Sequence, residues 1–191
     1  DIIALKYDFV KVEINGKDLG IYAIEEHFDK VLIESNNRRE GPILKLNEDI
    51  FWTEYSRARG RGHGGAFPST IIELINPGAF ASDDSSSNIE AFNTKNTLNN
   101  QNLKKQFIFA RDLLELFRRG DLKTSQVFDI ERLAKFFALS ELTRTLHGAF
   151  VWNNLRFYYN PVTSLLEPIG FNGQAGMYTN SMWASERIQE S

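Results

Sequence analysis

His147-Gly148-Ala149-Phe150-Val151-Trp152-Asn153-Asn154 closes a helical run, and Gly170-Phe171-Asn172-Gly173 follows shortly downstream. Between them, Leu155 to Tyr159 and Leu165 to Ile169 are short, apolar and aromatic, and Asn160-Pro161 separates them. Two such runs around a turn dipeptide read as a β-hairpin. The order is helix, polar loop, hairpin, polar loop. Helices and an antiparallel sheet in one segment make the fold class α+β.

On the N-terminal side of this stretch the chain is helical. Leu133, Phe136, Phe137, Leu139 and Leu142 recur at helical spacing behind Asp129, a natural N-cap, which predicts a helix ending near His147-Gly148. Before it, Leu103, Phe107, Ala110, Leu113, Leu114 and Phe117 share one face, and Gly120 fits the residue just past the helix end.

The beginning of the chain is strand-like. Val10, Val12 and Ile14 alternate with Lys11 and Glu13, which predicts a half-buried strand. Asn15-Gly16 is a strong turn signal, and Leu19 to Glu25 reads as the returning strand. A short helix with Phe28, Val31 and Leu32 on one face follows, then Gly41-Pro42, then the strand Ile43-Leu44-Lys45-Leu46. Ile71 to Ile75 is a further candidate strand, closed by Asn76-Pro77-Gly78. The chain therefore divides into a sheet-rich part (1–78), a loop (79–101) rich in Asp, Ser and Asn, and a helical part with a hairpin (102–191), together one domain.

Composition narrows the function classes. With 42% hydrophobic residues and 15 Phe, 6 Tyr and 3 Trp, the chain has enough apolar surface for a substantial core. A net charge of −3 argues against nucleic-acid binding by the protein as a whole. The absence of cysteine removes disulfides, thiolate metal sites and a cysteine nucleophile. No apolar run reaches the roughly 18–20 residues a membrane span requires. No signal peptide is visible, and a chain that starts at Asp1 is expected to be a piece of something longer.

Several stretches carry candidate chemistry. Gly60-x-Gly62-x-x-Gly65 matches a phosphate-loop pattern, but it follows the Lys45 strand instead of preceding it, and Arg57, Arg59 and Arg61 with His63 read as a flexible basic loop. Lys45 sits inside an apolar strand, so it is either an outward-facing residue or a cation directed at nucleotide phosphates. His147 is either a helix-end residue interacting with the helix dipole or a general base, since imidazole titrates in the useful range. Asp112, Glu115, Glu131 and Glu141 lie among basic neighbours on helices and read as solvated faces with local ion pairs.

Two blocks of sequence carry a family resemblance. The first is Asn15-Gly16, then Gly20-Ile21-Tyr22-Ala23-Ile24-Glu25-Glu26-His27-Phe28-Asp29, continued by Gly41-Pro42-Ile43-Leu44-Lys45. The second runs Asn154-Leu155-Arg156-Phe157-Tyr158-Tyr159-Asn160-Pro161 and Glu167-Pro168-Ile169-Gly170-Phe171-Asn172. Together they resemble the CotH (spore-coat protein H) kinase-like family over residues 7–46 and 125–176. The opening stretch is also similar in order to a protein kinase's catalytic centre, where His-Arg-Asp and then Asn precede a hairpin that leads to a metal-binding Asp.

The resemblance implies an atypical protein-kinase-like fold and transfer of the ATP γ-phosphoryl group, with Mg²⁺, to Ser or Thr of a secreted or surface protein. It implies that Lys45 touches nucleotide phosphates, that Glu26 orients it, and that Asn154, Asn172 and Gln174 occupy metal positions. Ala149 then stands in the position of the catalytic base, with His147 the nearest substitute. Asn172 and Gln174 offer neutral carbonyl oxygens where a hard cation favours carboxylates. The expectation is an extracellular or cell-surface kinase-like domain with impaired catalysis that acts in binding. Two alternatives stand: an active ATP- and Mg²⁺-dependent Ser/Thr phosphotransferase, and a structural subunit of a larger assembly.

Overall fold

The computed structural model describes residues 1–47, 49, 87–150 and 154–172. Its main sheet has five strands: β1 (Ile3–Ala4), β4 (Ile43–Leu46), β5 (Ile89–Ala91), β6 (Arg156–Asn160) and β7 (Leu165–Gly170), in the order β1-β7-β6-β4-β5. β1 runs parallel to β7, and the other neighbours are antiparallel. The C-terminal hairpin β6–β7 thus pairs directly with β4, so N-terminal and C-terminal parts of the chain share one sheet. β2 (Tyr7–Ile14) and β3 (Lys17–Glu25) form a separate two-stranded sheet.

That hairpin closes where its sequence dictates. Asn15 and Gly16 both take positive φ, 53° and 76°, the type I′ geometry that suits the strand twist. Val10 and Val12 are half-buried as the alternation predicts, but Ile14 is exposed, because it ends the strand at the turn.

The described residues include six helices: α1 (Lys30–Ser35), α2 (Thr94–Asn99), α3 (Gln101–Arg118), α4 (Thr124–Val127), α5 (Ile130–Leu142) and α6 (Leu146–Phe150). Asp29, Asn100 and Asp129 cap α1, α3 and α5 by accepting backbone N–H groups. Gly120 adopts φ +78° just past α3, and its N–H bonds to the Phe117 carbonyl while that of Asp121 bonds to Leu116. That is the Schellman closure predicted from sequence.

Two expectations need correction. Residues 79–101 are not all loop, since β5 and α2 lie within them. Ile89 and Ala91 are buried in the core, and Asn93 caps α2 through the Asn96 N–H. The helix from Asp129 does not continue to His147-Gly148. It stops at Leu142, and Arg144, at φ +54°, closes a second Schellman motif before α6 begins. The candidate strand at 71–75 and the Arg57–Gly65 loop lie outside the described residues.

The sheet separates two apolar clusters. On one side, α3 and the α4–α5 segment cover Leu44, Leu46, Ala91, Tyr159 and Leu166 with Phe107, Leu114 and Phe128. On the other, Ile3, Ile43, Tyr158 and Ile169 pack against Phe28, Leu32 and Ile33. This second face also carries the candidate site. Near it, the fully buried Glu167 accepts from Asn160 Nδ2 at 2.6 Å and from Arg38 Nε at 2.9 Å, with Arg132 Nε at 3.1 Å.

Candidate functional site

Strand register builds the first half of the site. Lys45 on β4 stands opposite Glu90 on β5 and opposite Arg156 on β6. Residues in direct register share a face, so the three side chains form one charged row across the sheet. Lys45 Nζ lies 3.7 Å from Glu90 Oε2, and about a third of each side chain is exposed. At that exposure the pair contributes little to stability. Lys45 also lies 5.7 Å from the centroid of Phe92.

Arg156 is held differently. It is buried, and its guanidinium carbon sits 5.5–6.0 Å from the ring centroids of Phe28, Phe92 and Phe171. Phe28 itself meets Phe92 at 4.3 Å and Phe171 at 5.0 Å. A partly desolvated guanidinium against aromatic faces gains from each ring's quadrupole. Its Nη1 donates to the Leu155 carbonyl at 3.0 Å.

The second half comes from two loops. Gly148, in α6, packs so tightly that a Cβ there would sit 2.0 Å from the Phe171 carbonyl oxygen. Only glycine permits that approach. The contact brings the His147 segment against Phe171-Asn172. The Asn154 amide donates to the His147 carbonyl at 3.2 Å, and the Asn172 amide donates to Asn154 Oδ1 at 3.4 Å. Asn172 adopts φ +48°, a left-handed conformation that Asn tolerates better than most residues. Ala149 is buried. Burial holds the His147 imidazole below its ordinary pKa, so it is neutral near pH 7.

The structure therefore brings His147, Ala149, Asn154 and Asn172 together at the open end of the hairpin, with Arg156 and Phe171 beside them. Lys45 joins through Arg156. Glu26 is engaged elsewhere: its carboxylate accepts the Lys6 backbone N–H at 2.9 Å, and its own N–H bonds to the Lys6 carbonyl at 3.0 Å. The carboxylate beside Lys45 is Glu90. Gln174 lies outside the described residues.

Sequence reasoning missed Arg156, Glu90 and Phe92. Arg156 left a signal, a lone charge in the aromatic strand Leu155-Arg156-Phe157-Tyr158. Glu90 left none, because it lies in a polar stretch and meets Lys45 only through the β4–β5 pairing.

Among the described residues, the donors at the metal positions lack the carboxylates that a divalent ion favours. Asn154 and Asn172 contribute neutral amides that already bond to one another, and a guanidinium packs on the neighbouring Phe171. No group of three His, Cys, Asp or Glu residues is placed to hold a metal among the described residues. Mg²⁺ is bound through carboxylates and phosphates, and it dehydrates reluctantly.

A helix, a tight loop against the end of a hairpin, and a lysine strand in the same sheet define an α+β domain with polar side chains gathered at one sheet end. A family model described as CotH kinase protein matches residues 1–179, and the chain belongs to that family. No curated protein matches the sequence. No helix among the described residues is long and apolar enough to cross a membrane.

Proposed function

We propose that this CotH-type domain is catalytically impaired and serves a secreted or cell-surface protein as a binding module, taking a nucleotide and a protein partner on the sheet face that carries Lys45 and leads to Asn154 and Asn172. The amide contact between Asn172 and Asn154 carries this reading. Phosphoryl transfer needs charge neutralised on the transferring group and a base or orienting group for the acceptor hydroxyl. Ala149, buried in α6 at the corresponding position, has no side-chain polar atom to offer. His147 is neutral and basic in chemistry, but it stands two residues before that position. Lys45, part-exposed and held by a weak ion pair, is available to a phosphate by exchanging Glu90 for the ligand.

The test is transfer itself. The protein is incubated with radiolabelled ATP, Mg²⁺ or Mn²⁺, and a panel of Ser- and Thr-containing acceptor proteins. The expected result is no incorporation above that of Lys45→Met. Metal-dependent incorporation that Lys45→Met abolishes overturns the impaired reading and establishes a phosphotransferase.

A further inference from the structure

The β2–β3 ribbon is a sheet of its own, and neither strand pairs with another strand among the described residues. Both of its faces are apolar. Phe9 and Ile21 share one face and are 74% and 77% exposed, while Ile14, Tyr22 and Ile24 are exposed on the other. A two-stranded ribbon is marginal alone and gains from further strands. Open strand edges beside exposed apolar side chains mark an interaction surface.

The two edges are not equivalent. The register shifts between Val12 and Glu13, which pair with Gly20 and Asp18 and leave Leu19 without a partner on β2. Gly20 takes φ +85°, and its N–H donates to Asp18 Oδ1 at 2.9 Å. This bulge interrupts the β3 edge. β2 carries no extra residue. Asp8 Oδ1 accepts the Phe9 N–H at 2.8 Å, so the open stretch of the β2 edge runs from Val10 to Ile14.

That stretch, Val10-Lys11-Val12-Glu13-Ile14, is complementary to itself. Two antiparallel copies related by a two-fold axis normal to the sheet keep their side chains on matching faces. The axis must then fall between a residue and its own copy. Centred on Val12, the pairing sets Lys11 of each copy opposite Glu13 of the other, and Val10 opposite Ile14. Centred on Lys11 or on Glu13, it sets like charges against each other. Centred on Val10, it makes no charge pair. Opposite charges in direct register attract, and like charges repel.

We infer that this protein self-associates through the β2 edge, two copies forming a four-stranded sheet with Lys11 of one against Glu13 of the other. Lys11 Nζ lies 2.9 Å from Asp18 Oδ2 within its own ribbon, and an ammonium with three N–H groups can serve both carboxylates. The two-fold axis closes the assembly at two copies, and the bulged β3 edges end the sheet. This surface is separate from the nucleotide reading and does not depend on it.

The experiment is sedimentation equilibrium of the protein from micromolar to near-millimolar concentration. A reversible monomer–dimer equilibrium is expected, and a monomer throughout overturns the inference. Lys11→Glu and Glu13→Lys are each expected to weaken the dimer by about tenfold or more, because each replaces two attractive contacts with two repulsive ones. Both side chains are exposed, so the fold is expected to survive. An equal mixture of the two variants is expected to associate about as well as the unmodified protein, since each chain supplies the charge the other lacks. The double variant, Lys11→Glu with Glu13→Lys, is expected to dimerise again. A dimer indifferent to the single substitutions overturns the inference, and so does a loss that neither mixing nor the double exchange restores.

Discussion

Asn172 donates from its side-chain amide to the side-chain oxygen of Asn154 across 3.4 Å, and Asn154 in turn donates to the backbone of His147. This short chain of amides joins the two loops at the end of the β6–β7 hairpin. The first bond is long, so it orients the loops more than it stabilises them. What fixes their separation is the backbone contact of Gly148 with Phe171.

Gly148→Ala therefore probes the whole site. A methyl group 2.0 Å from a carbonyl oxygen forces α6 or the Phe171 segment to move. The expected cost is roughly 2–3 kcal/mol, typical of overpacking against backbone. Urea unfolding measures it, and a loss below the experimental error would mean that the loops slide apart freely.

Glu167 is the second point of vulnerability. It is fully buried and joins Asn160 on β6, Arg38 after α1 and Arg132 on α5. Replacing it with Ala leaves the part-buried Arg38 guanidinium without its counter-charge, while Arg132 keeps its pair with Asp129. Removing one member of a buried ion pair costs roughly 3–5 kcal/mol, so Glu167→Ala is expected to unfold at much lower urea. Glu167→Gln, which keeps the shape and one acceptor, is expected to fall between it and the unmodified protein.

The elements that the sequence revealed are those fixed by neighbours along the chain. The Asn15-Gly16 turn, the Asp129 cap, the Gly120 closure and the hairpin across Asn160-Pro161 each depend on residues within a few positions. Pairing between distant segments left weaker traces. Nothing local tells β1 to run parallel to β7 or β4 to join β6. β5 was hidden because only Ile89 and Ala91 of its three residues face the core, within a stretch of Asp, Ser and Asn. The site shows the same division: Asn154 and Asn172 were found by motif order, while the Arg156 cage needs rings from residues 28, 92 and 171.

The half-buried His147 makes stability depend on pH. Its folded pKa lies below the ordinary value because burial disfavours the imidazolium. The unfolded chain therefore takes up the proton first as pH falls. The contribution of the neutral imidazole is complete above the unfolded value of about 6.5 and is lost as pH drops from there toward the folded pKa. His147→Gln is expected to flatten stability against pH in that window while leaving the slope below the folded pKa unchanged. Chemical denaturation at several pH values reads the slope, and NMR titration of the imidazole checks the direction of the shift.

Arg144 offers a prediction of opposite sign. It occupies the position after the C-cap of α5 with φ +54°, and the Arg144 and Thr145 N–H groups bond back to Glu141 and Ser140. The geometry is the same as at Gly120, but a side chain stands where glycine is favoured. A non-glycine residue in this left-handed region costs on the order of 1 kcal/mol. Arg144 is exposed, so removing its side chain opens no cavity. Arg144→Gly gives some of the gain back through the greater freedom of the unfolded chain. The net expectation is a stabilisation of about 0.5 kcal/mol, seen as a higher urea midpoint with an unchanged m-value. Arg144→Ala, which keeps the Cβ, is expected to give no such gain. If it stabilises as much as Arg144→Gly, the long side chain rather than the left-handed backbone is the source of the cost.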